Sequence, residues 1–210
     1  RALIAGVDVL CLGGELADES VVDRTAERIR DAVVSGRLTE SRLVEAASRV
    51  DGLVARRTPS DPALVEAGRD ASRRAAERAL RVAGDVRVET APTVVTLQPA
   101  AMFAVGSVPW GVAPLLAQAL PGTRSVALGP DGDVDAALAA AAGDTLVVVA
   151  RDPHRHAWQS AALDRLLAAR PDSVVVEMGL PSGLPLVARG RIDTLGASAV
   201  SAAAAVRRLL

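Results

Sequence analysis

Lysine and tyrosine are absent from this sequence, and its only aromatic side chains are Phe103, Trp110 and Trp158. Each absence removes a class of function. A chain without lysine has no Gly-x-x-x-x-Gly-Lys phosphate loop. Three scattered aromatics build no stacking platform for single-stranded nucleic acid. All 24 basic residues are arginine, set against 25 acidic ones for a net charge of −1. Most are interleaved with Asp or Glu, as between Asp23 and Asp31, so no basic stripe forms and no nucleic-acid partner is expected. Cys11 is the single cysteine, which rules out an internal disulfide framework, and its apolar neighbours suggest a small buried hydrophobe. No apolar run reaches the roughly 18 residues of a membrane span. Export and cytoplasmic residence are both compatible with this pattern.

Against these absences, half of the 210 residues are hydrophobic, mainly Ala, Val and Leu. At roughly 150 residues per domain, the length suits one large domain or two smaller ones with their own cores. The first 54 residues open on a strand candidate, Val7-Asp8-Val9-Leu10-Cys11-Leu12, which stops at Gly13-Gly14. Apolar positions at Val22, Ala26, Ile29 and Val33 then predict a helix within Glu19 to Leu38. Thr39 is placed to cap a second helix, with Leu43, Val44, Ala47 and Val50 as its core-facing stripe. This is one β-loop-α unit with no partner strands before it, and the chain reads as starting partway through a barrel. Residues 55–61 form a polar link that ends at Asp61, with Pro62 in the first position of a long helix to about Val82.

Residues 62–210 alternate strand and helix. Strands are predicted at Thr93 to Gln98, Ser125 to Gly129, Thr145 to Arg151, Ser173 to Met178 and Ile192 to Leu195. Helices are predicted between them at about Pro109 to Leu120, Val134 to Ala142, His156 to Ala169 and Ser198 to Leu209. Runs such as Leu146-Val147-Val148-Val149 and Val174-Val175-Val176 are apolar on both faces, as a parallel sheet covered by helices on both sides requires. The expected fold class is α/β: the last β/α segment of a (β/α)8-type barrel, then a three-layer α/β/α sandwich on a mostly parallel sheet of five or six strands.

Three stretches carry a resemblance. Ala5-Gly6-Val7-Asp8-Val9-Leu10-Cys11-Leu12-Gly13 is similar to the final barrel strand of glycoside hydrolase family 3, in particular its bacterial β-N-acetylglucosaminidase branch of actinobacterial type. Ala32-Val33-Val34-Ser35-Gly36-Arg37-Leu38-Thr39-Glu40-Ser41-Arg42-Leu43 and Glu45-Ala46-Ala47-Ser48-Arg49-Val50 resemble that family's helix, turn and closing helix. Val174 to Pro181, with Ile192-Asp193-Thr194-Leu195-Gly196-Ala197-Ser198, resembles the end of its C-terminal sandwich; Leu195 departs from the aromatic or His expected before the Gly. The resemblance implies a retaining glycosidase, whose two carboxyl-type functions stand about 5 Å apart in the usual case. Its nucleophilic Asp and its Asp-His acid/base would lie on earlier barrel loops. Neither segment occurs in this sequence, so no catalytic residue is assigned and the chain itself is expected to be inactive.

The remaining candidates each have a plainer reading. Glu15 and Asp18 follow the barrel-like strand, on the face where barrel active sites assemble, and would border a sugar subsite. Otherwise they are a loop and the N-terminal charges of the next helix. In Arg151-Asp152-Pro153-His154-Arg155-His156, just past a strand end where ligands of open sheets gather, Asp152 would cap a helix while His154 and His156 line a substrate groove between domains. Ordinary helix capping explains the same residues, and two His without a third ligand make a poor metal site. Asp131-Gly132-Asp133-Val134-Asp135 imitates a calcium loop, but Ala136 and Ala142 replace its turn Gly and bidentate Glu, which leaves a capped helix start. Glu177, ending a buried strand, must be paired, hydrated or turned to solvent. Gly106-Ser107-Val108-Pro109-Trp110-Gly111 lacks the spacing of a nucleophile elbow. Trp110 reads as a core residue at a helix start, with sugar stacking as the alternative. No metal or cofactor is expected.

Two functions from different classes stand at this point. One is the C-terminal part of a glycoside hydrolase acting on terminal β-linked sugars, partnered by a barrel domain upstream and through it by carbohydrate. The other is a non-catalytic α/β interaction or dimerisation module, in which uncovered apolar surface on residues 1–54 would favour a homo-oligomer.

Overall fold

The computed structural model describes residues 1–12, 18–57, 61–99, 110–181 and 187–210. The chain divides into two compact units, the first over Arg1–Pro62 and the second built on Ala63–Ala100 and Pro109–Leu210.

In the first unit, residues 1–12 contain no β-strand, and helices α1 (Glu19–Val34) and α2 (Glu40–Ala55) follow. Local chemistry sets both helix starts: Asp18 accepts from the Val21 N–H and Thr39 from the Arg42 N–H. The segment expected to be a strand, Val7–Leu12, lacks a ladder because a strand exists only through its neighbours, and among the described residues none lies beside it. It is pinned to α2 instead. Arg42 Nη2 donates to the Val7 carbonyl at 3.0 Å and to Asp8 Oδ1 at 2.7 Å, and Arg49 Nη1 meets Asp8 Oδ2 at 3.1 Å. These arginines hold the Asp8 carboxyl below the ordinary range, with the Arg42 hydrogen bond as the largest cause. Cys11 is exposed, not buried, since the strand that would have enclosed it is not formed here. Among the described residues of this unit only Leu3, Leu38 and Ala46 are buried hydrophobics, and α1 buries none.

The second unit is a six-stranded sheet in the order β1 (Arg81–Gly84), β6 (Gly190–Asp193), β5 (Val174–Glu177), β4 (Leu146–Ala150), β2 (Thr93–Leu97), β3 (Arg124–Leu128). All pairs are parallel except β1 with β6. Its helices are α3 (Pro62–Ala79), α4 (Ala113–Ala119), α5 (Val134–Ala140), α6 (Ala157–Ala169) and α7 (Ala199–Leu209). On one face Val94, Val147, Val149, Val176 and Ile192 pack with Leu116 of α4 and Ala205 and Leu209 of α7. On the other, Val95, Val148, Ala150 and Val175 pack with Ala137 of α5 and Leu163 and Leu166 of α6. Each of the Val, Leu and Ile side chains among them gains about 1.5–3 kcal/mol over exposure. The three-layer, mostly parallel sandwich is therefore as expected.

Strand β1 departs from the expectation. The helix begun at Pro62 stops at Ala79, and Arg81–Gly84, expected as the helix's end or as loop, forms a short antiparallel edge on β6. Gly84, at φ +70°, turns the chain out of that edge. All four residues are exposed, and Arg81 blunts the edge against further pairing.

Candidate functional site

In an open parallel sheet, ligands gather beyond the carboxyl ends of the strands. In this sheet the loops after β4 and β5 meet there and are tied by carboxylates. Glu177, the last residue of β5, is 1% exposed. Its Oε1 accepts from the backbone N–H groups of Asp152 and Gly179, both at 2.9 Å. Asp152 Oδ1 in turn accepts from the Leu180 N–H at 2.7 Å. Gly179 has no alternative here, because a Cβ would run into the Asp152 carboxyl. Two non-glycine residues in the left-handed region flank the tie, Asp152 at φ 51° after β4 and Leu195 at φ 56° after β6. Beside it on β6, Arg191 Nε donates to Asp193 Oδ1 at 2.5 Å. Burial raises the Glu177 carboxyl above its ordinary value, and the two backbone donors and Arg191 offset this only in part.

The candidate residues separate as follows. Asp152 does not cap the turn Pro153–Arg155; its carboxylate is committed to Leu180. His154 and His156 are exposed on that turn and at the start of α6, and His156 makes no side-chain cap. Asp18 is the N-cap of α1 and accepts from Ser20 Oγ at 2.6 Å. Glu15 lies outside the described residues, as do 100–109, which hold Gly106 to Pro109. Asp133 caps α5 through the N–H groups of Asp135 and Ala136, so the calcium-like motif is a capped helix start. Trp110 is half-buried against the α4/α7 core. Among the described residues no group of three or more His, Cys, Asp or Glu is placed to hold a metal, and no helix is long and apolar enough to cross a membrane.

Three residues of this edge were not singled out from sequence: Gly179, Arg191 and Gln159. Gln159 is fully buried in the first turn of α6, with Oε1 3.5 Å from the Arg151 N–H and Nε2 without a partner. A buried amide on an otherwise apolar helix face was the available signal.

The opposite edge of the sheet is also polar but closed. Asp144 Oδ2 accepts from Thr93 Oγ1 at 2.6 Å and from Arg124 Nη2 at 2.6 Å, while Arg170 donates to the Ala141 and Asp144 carbonyls. The Thr93 bond, then the Arg124 bond, hold Asp144 below the ordinary carboxylate range. This network joins the starts of β2, β3 and β4 and reads as structural.

No family model and no curated relative matches the sequence. Solved structures do. Over 97% of its length the chain is similar to a glycoside hydrolase family 3 beta-N-acetylglucosaminidase from Paenibacillus sp. str. FPU-7, at a TM-score of 0.56 and 18% identity. The fold is that of part of a family 3 glycoside hydrolase. The chain spans 43% of that enzyme's length. A beta-N-acetylglucosaminidase from Thermotoga maritima matches over 98% of this chain and 44% of its own, at a TM-score of 0.45 and 13% identity.

Proposed function

We propose that the chain is the C-terminal portion of a retaining, β-N-acetylglucosaminidase-like glycoside hydrolase and is inactive by itself. The observation that carries this reading is the fold likeness to the Paenibacillus enzyme, which takes in nearly all of this chain and less than half of that one. Residues 1–54 would be the end of the barrel, 55–61 the linker and 62–210 the sandwich domain. The first unit supports the barrel assignment through its pattern. Asp8, Leu10 and Leu12 line a groove of about 300 Å³ with Val22, Ile29 and Leu43, and Asp8 and Leu10 are half-buried there, while Val7, Val9 and Cys11 between and beside them are exposed, as is Leu12 at the end of the segment. That is the period of two of a strand. The nucleophile and acid/base would come from upstream, and the sandwich would serve as scaffold. Glu15, Asp18, Asp152, His154 and His156 are retained as candidates for the substrate rim.

The test is hydrolysis of an aryl β-N-acetylglucosaminide by the chain alone and by the longer native protein. Turnover only by the longer form is expected; turnover that scales with the concentration of the chain alone would overturn the reading. The exposed apolar residues of the first unit also favour a second reading, a non-catalytic module that self-associates through them. A native mass of 21.5 kDa together with a stable dimer would select it.

A further inference from the structure

We draw no further inference here: the strongest candidate, the buried Gln159 amide in the first turn of α6 beside the carboxyl end of β4, has an unpartnered Nε2, but nothing among the described residues shows what group or ligand would meet that nitrogen.

Discussion

The two units obey the same helix chemistry and differ in what their apolar faces meet. Both begin helices with well-made caps, at Asp18 and Thr39 in one and at Asp133 and Ser198 in the other. The second encloses two cores on either side of a sheet, whereas the first leaves Val9, Val22, Val34, Val44 and Leu53 more than half exposed. Capping and amphipathic spacing are thus enough to set helices, but a core requires a second surface. The first unit leaves its apolar pattern at the surface, where only a further surface would cover it.

The largest expected effect sharpens this contrast. Leu166→Ala, in the α5/α6 core, should lower the unfolding free energy of the second unit by about 2–5 kcal/mol in denaturant titration. Val34→Ala, at a side chain 82% exposed, should cost less than about 0.5 kcal/mol. A comparable loss from the two would break the comparison. Next, Gly190→Ala sets a Cβ against the Asp85 carbonyl and should separate β1 from β6, with a cost of about 1–3 kcal/mol and early exchange of the Arg81–Gly84 amides. Arg42→Ala removes both its bonds to the Val7–Asp8 segment and should speed proteolysis within residues 1–12 while the second unit stays resistant. Smallest is the effect of acid. The depressed carboxyls of Asp8, Asp18, Asp144 and Asp172 contribute stability above their unfolded values, lost as pH falls through the lower folded ones, so thermal stability should decline only in the acid range below pH 4. Glu177 runs the other way: its contribution grows as the pH falls through its raised value and is complete before the aspartates begin to lose theirs, so it leaves the acid decline unchanged.

The parts legible in sequence were those whose cause is local or whose burial is complete. Val147–Val149 and Val174–Val176 announce a doubly covered parallel sheet because both faces must be apolar, and Thr39 caps a helix three residues away. Strand β1 was not legible because Arg81-Val82-Ala83-Gly84 continues an Arg- and Ala-rich helical pattern and gains its partner only at Gly190–Asp193. The role of Asp152 was hidden for the same reason: its partner is the backbone N–H of Leu180, 28 residues on. Glu177 was recognised as needing a partner, but backbone donors leave no trace in side-chain identity.

The central claim is that this chain is part of a larger enzyme, and the intact mass and N-terminal sequence of the native protein test it most directly. The account expects a polypeptide more than twice 21.5 kDa, with a barrel's residues preceding Arg1. A native mass of 21.5 kDa with Arg1 near its start would contradict it.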